Sequence, residues 1–171
     1  MFKISCFKEK CYLMAYHFCE NEKISLRPER VFGIWNTWWK DFAVQGHPIY
    51  KIRNGQLVHN KKDTNKDDEL LAECNQVFQK AYDFISDYVK KHSRAEVREA
   101  INKQRTRQLR TLKYIARKKG QTVVMIKNKV GSGRLAVYLL VGKDFKQTGD
   151  YDTLLHYIKN SKGREDNDKS R

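Results

Sequence analysis

Proline is scarce in this chain. Two residues in 171, Pro28 and Pro48, leave few fixed breaks, and with 40% hydrophobic and 32% charged residues most of the sequence is expected to fold. No stretch approaches the ~18 consecutive apolar residues that a membrane-spanning helix needs, so no membrane partner is expected. The opening run, MFKISCFKEKCYLMAYHFCENEK, is interrupted by Lys8, Glu9 and Lys10 and has no small-residue cleavage site, so it does not read as a secretory signal. The expected location is therefore intracellular and reducing, in the cytoplasm or in the nucleoid or nucleus. Cysteine is limited to Cys6, Cys11, Cys19 and Cys74, expected as reduced thiols. Cys6, Cys11, His17 and Cys19 can be written as a zinc set, but there is no C-x2-C knuckle, and Cys11 and Cys19 fall inside an apolar run. Buried small hydrophobes are the favoured reading, with no metal and no cofactor. P-loop, GxGxxG, HExxH and GxSxG motifs are all missing, as is any internal repeat.

What is abundant is positive charge, and it is unevenly placed. The formal net charge is +15. Residues 1–89 carry 13 Lys+Arg against 12 Asp+Glu, residues 90–119 carry 12 against 2, and residues 120–171 carry 10 against 6. Self-repulsion of that density opposes compact folding, so a polyanionic partner is the natural explanation of the middle segment. Nucleic acid is the polyanion expected, with duplex DNA favoured over RNA.

The hydrophobic pattern predicts an α+β chain in which β-hairpins flank a helical centre. Residues 2–18 alternate with a polar break at Lys8–Lys10, which reads as a hairpin, although Cys11–Cys19 also suits a short helix. Ser25 offers an N-cap for a helix with Pro28 in its first turn, ended by Gly46. Trp35, Trp38 and Trp39 on that helix are core candidates, and the residues with which a dimer or protein partner would be engaged. Asn54-Gly55 between two short apolar segments predicts a type I′ hairpin. The polar run 61–68 is the expected boundary between an N-terminal segment (1–62) and a nucleic-acid-binding module (63–160), with a disordered tail (161–171).

Beyond that run, apolar residues from Leu70 to Val89 recur at helical spacing. Ser93 starts a second helix, Leu109 to Ala116 mark a third, and KQRTR is read as a turn between them. The break is preferred because one continuous helix would turn Gln104, Arg105 and Gln108 toward the apolar side. Two strands, 122–126 and 135–141, follow around a glycine-containing basic loop, and Asp150 or Asp152 starts a last helix. Three helices and a hairpin resemble a winged helix in element order, a likeness of architecture alone.

On a helical wheel of about 100° per residue, Lys103, Arg107, Arg110, Lys113 and Arg117 fall within roughly a third of the circumference, opposite Leu109, Leu112, Ile115 and Ala116. Such a face suits phosphates, and the helix suits a major groove. Arg105 and Lys118 extend the cationic set, and Lys127, Lys129 and Arg134 place further charge on the wing, where Gly131 and Gly133 would allow close approach. Gln104, Gln108 and Arg107 are candidates for base edges. The implied role is a DNA-binding regulator or accessory protein, without enzymatic activity. The alternatives are an RNA-binding protein or basic subunit of a nucleoprotein assembly, and a metal-dependent nuclease of HNH type built on His59-Asn60 with Asp67, Asp68 and Glu69.

Overall fold

The computed structural model describes residues 2–19, 26–60, 67–127 and 129–161. It is an α+β structure with small antiparallel sheets. The chain divides into two compact units, Met1–Arg98 and Glu99–Arg171, which meet within one helix and not in the run 61–68.

The first unit holds α1 (Phe7–Phe18), α2 (Pro28–Trp39), the short pair β1 (Ala43–Val44) and β2 (His47–Pro48), the hairpin β3 (Tyr50–Arg53) and β4 (Gln56–His59), and α3 (Asp68–Lys91). The expected first hairpin is instead α1. Cys11, Met14, Ala15 and Phe18 are all buried at helical spacing, and of the polar break Lys8 stays exposed while Glu9 and Lys10 are buried: Lys10 Nζ reaches Asp41 at 2.7 Å and lies over the Trp39 ring. α2 starts at Pro28, whose missing N–H costs nothing in a first turn, and stops at Lys40 in a left-handed conformation, short of Gly46. Ser25 lies outside the described residues.

Asn54 and Gly55 both take positive φ, 51° and 77°, as a type I′ turn requires, and Arg53 pairs with Gln56. The carboxamide of Asn75 on α3 then clamps β4: it accepts from Leu57 N at 2.7 Å and donates to Leu57 O at 2.9 Å. Trp35, Phe42, Phe32, Tyr50 and Phe78 form the centre of the core, with Phe32 and Phe78 edge to face at 5.5 Å. Trp35 is wholly buried there, which removes it from any partner surface; Trp38 and Trp39 are half-buried. Asp67 caps α3 by accepting from Leu70 N.

α4 (Arg94–Arg117) is one continuous helix through KQRTR. Ser93 and Glu96 form a reciprocal capping box at its start: Ser93 N donates to Glu96 Oε2 at 2.6 Å, and Glu96 N to Ser93 Oγ at 3.3 Å. Helix-turn-helix geometry at KQRTR is therefore absent. Of the polar residues that argued for a break, Arg105 and Gln108 are satisfied by partners far along the chain, described below, and Gln104 is half-buried.

The second unit completes α4 with β5 (Thr122–Lys127), a single 3-10 turn (Val130–Ser132), β6 (Val137–Val141), β7 (Lys146–Gly149) and α5 (Tyr151–Asn160). The strands form one antiparallel sheet in the order β5-β6-β7, so the expected hairpin gains a third strand. One face of the sheet, through Val123, Tyr138 and Leu140, packs on Leu112 and Ala116 of α4 and on Leu154 and Ile158 of α5. Asp150 caps α5 by accepting from Thr153 N at 2.9 Å. At the other end of α5, Lys119 Nζ donates to the carbonyls of Ile158, Lys159 and Ser161, where a cation complements the helix dipole. The expected tail lies outside the described residues from 162 onward. Among the described residues no helix is long and apolar enough to cross a membrane.

Candidate nucleic-acid interface

Charge separates the two units. Residues 1–98 carry 17 Lys+Arg against 13 Asp+Glu, and residues 99–171 carry 18 against 7, so +11 of the net +15 belongs to the second unit.

Within that unit α4 sorts its side chains by face. Ile101, Arg105, Gln108, Leu112 and Ala116 are buried. Lys103, Arg107, Arg110, Lys113, Arg117 and Lys118 are exposed. At about 100° per residue these cations centre opposite the buried stripe, spread along about 20 Å of helix. Of these, Lys103 pairs with Glu99 at 2.8 Å, an exposed i,i+4 contact of the weak class. The earlier arginines of α4 are committed within the first unit: Arg94 lies 4.3 Å over the Tyr16 ring, and Arg98 donates to Tyr16 Oη at 2.6 Å.

Two predicted contact residues point inward. Arg105 is 1% exposed and its Nη2 donates to the Arg134 carbonyl at 2.9 Å. Gln108 is 4% exposed and its Oε1 accepts from Tyr138 Oη at 2.8 Å. Neither is placed to touch a ligand, because each is enclosed by the sheet and its loop. Gln104 is half-buried. Arg105 instead sets the position of the β5–β6 loop, whose Lys127, Lys129 and Arg134 side chains are exposed. Gly133 is buried at φ 65° and closes the 3-10 turn by donating to Val130 O, so its role is the turn and not close approach; Gly131 remains exposed with open space around it.

A residue not singled out by the charge pattern sits among the α4 cations. Tyr114 is 63% exposed, the Lys118 ammonium lies 4.5 Å from its ring centroid, and the hydrogen bond and charge of Lys118 draw the phenol below its ordinary pKa. Its wheel position, about 20° from Lys103, was the available signal.

Of the nuclease set, His59 and Asp68 come together. His59 Nε2 lies 3.4 Å from Asp68 Oδ1 and its ring packs on Tyr50, while Asn60 is bonded to the Pro48 carbonyl. Among the described residues no three His, Cys, Asp or Glu side chains are grouped to hold a metal ion, whether here or around Cys6, Cys11, His17 and Cys19. Among the described residues no disulfide joins the cysteines, and burial pushes the Cys11 thiol up to about 12. No family model, curated protein or solved structure matches this chain.

Proposed function

We propose that this protein binds nucleic acid inside the cell, duplex DNA in preference to RNA, as a regulator or accessory factor and not as an enzyme. The observation that carries the reading is the exposed row Lys103, Arg107, Arg110, Lys113, Arg117 and Lys118 on one face of α4, opposite a buried stripe. A helix fits the ~12 Å major groove, and arginine donates in pairs to guanine O6 and N7 or to phosphate oxygens. The β5–β6 loop, with Lys127, Lys129 and Arg134, takes the part of a wing beside it. Arg107 is the candidate for a base edge, with Gln104 secondary. Six phosphate contacts imply a log–log salt slope of about −5. Exposed Tyr114 supports a second reading, because an aromatic among cations also suits stacking on an unpaired base of RNA or single-stranded DNA. Docking of a second copy or of a protein partner would fall to the first unit through Trp38 and Trp39.

Fluorescence anisotropy against duplex DNA, single-stranded DNA and structured RNA over a salt series tests the reading. The wild type is compared with Arg107→Glu/Arg110→Glu/Arg117→Glu. A duplex preference with a steep slope, both reduced in the variant, is expected. Tighter binding of RNA moves the assignment to the second reading, and no binding by wild type at low salt removes both.

A further inference from the structure

Within the second unit, none of the described elements packs on the outer face of the sheet. Strand register defines it. Thr122, Val141 and Lys146 form one cross-strand row, Val124, Leu139 and Thr148 the next, and Lys127 stands opposite Val137 beyond a bulge that contains Ile126. Val124 and Ile126 are 47% and 46% exposed, and Thr122, Lys127, Lys146 and Thr148 are exposed too. The face therefore has an apolar centre, two threonines and Lys146, with Lys127 at the edge it shares with the basic loop, and none of these residues is a carboxylate.

Alternation puts this face on the side away from α4. Val123, Tyr138 and Leu140 point to the helices, so Val124, Leu139 and Val141 point outward. The cations of α4 leave from the other side of that helix, with the helix layer, about 10 Å thick, and the sheet in between. One straight duplex segment cannot lie on both faces at once.

We infer that the outer sheet face is a second nucleic-acid surface, and that the protein bridges two duplex segments, one on α4 and one on the sheet. The inference rests on the nucleic-acid reading proposed above. Charge selects the occupant: lysines without a carboxylate, on a unit of net +11, attract a polyanion and repel a second copy of themselves. Chemistry selects the mode. Strands can enter a groove, where valine, isoleucine and threonine methyls meet thymine methyls and lysines meet flanking phosphates.

The test immobilises one DNA duplex on beads and measures capture of a second, fluorescent duplex by the full chain. Anisotropy with a single duplex and sedimentation without DNA are run in parallel. Wild type is expected to capture the second duplex. Val124→Glu/Lys146→Glu should reduce capture about tenfold or more while affinity for a single duplex is held by α4. Val124→Ser/Ile126→Ser, a milder change on the same face, should reduce capture in the same direction and guards against misfolding of the first variant. Wild type that binds one duplex but captures no second overturns the bridge, as does undiminished capture by both sheet variants. A dimer without DNA that the sheet variants dissociate also overturns it, by assigning the face to a second copy. Failure of wild type to bind any duplex sinks the nucleic-acid reading itself, a different signature.

Discussion

The guanidinium of Arg105 and the backbone carbonyl of Arg134 are bonded at 2.9 Å, tying the middle of α4 to the basic loop between β5 and β6. Both residues count as cations in the sequence, yet they do different work: one is sealed inside and the other faces solvent. Arg105→Met is expected to leave a carbonyl without its donor and to lower stability by about 1–3 kcal/mol in urea unfolding. The salt slope of DNA binding should stay at its wild-type value, because the removed charge never meets a phosphate. A slope that falls by about one unit would place Arg105 in the interface after all.

Continuity of α4 through KQRTR gives a second expectation. Thr106 is exposed at its centre, with Oγ1 bonded back to the Asn102 carbonyl. Thr106→Pro should remove an internal hydrogen bond and cost about 3 kcal/mol or more, with loss of helical circular dichroism. Thr106→Ala controls for the side chain and should be close to neutral. A proline tolerated there would mean that the two halves are separate helices joined by a turn.

That helix marks where local pattern stops being informative. Cys74, Phe78, Ala81 and Ile85 of α3 announce themselves by spacing, Asn54-Gly55 by its two positive φ values, and Asp150 by its position ahead of an apolar run. All of these are decided within a few residues. The continuity of α4 is decided by Arg134 and Tyr138, which lie 29 and 30 residues beyond the side chains they satisfy. No helical wheel contains them. α1 escaped for another reason: over so short a stretch Tyr12, Met14, Tyr16 and Phe18 fit period two, while Cys11, Met14, Ala15 and Phe18 fit a helix, and packing on α3 selects the second. β7, Lys146–Gly149, holds no apolar side chain that could alternate, so its pairing with β6 left no hydrophobic pattern to read. The exposed cationic row of α4 was legible throughout, since it needs only the helical repeat.

Buried in α1, the Cys11 thiol has its pKa raised to about 12 from 9.0, because burial penalises the thiolate; the charge of Lys10 opposes this only in part. A folded-state pKa above the unfolded one contributes stability at pH below 9, and that contribution is lost as pH climbs toward 12. Native protein should therefore leave Cys11 unmodified by a thiol reagent at pH 8. Stability should decline from pH 9 to 11, and the decline should be shallower in Cys11→Ala. An equal decline in the variant would assign the alkaline loss to other groups.

The exposed cations of α4 can be tested one charge at a time. Each phosphate neutralised releases condensed counterion worth about 0.9 in the log–log slope, so contact with duplex DNA is countable. Arg107→Gln, Arg110→Gln and Arg117→Gln keep long polar side chains on an exposed helix face, where substitutions ordinarily move stability by about 0.5 kcal/mol or less. Each that touches a phosphate should make the slope shallower by about one, and the three together by about three. Arg107 has a further signature if it reads a base: its substitution should narrow the gap between preferred and random duplexes, whereas loss of Arg110 or Arg117 should weaken both equally. Anisotropy titrations of the single and triple variants against two duplex sequences, each at four salt concentrations, separate these outcomes. Slopes unchanged in all three would detach the α4 face from DNA and leave the sheet or the loop as the contact surface.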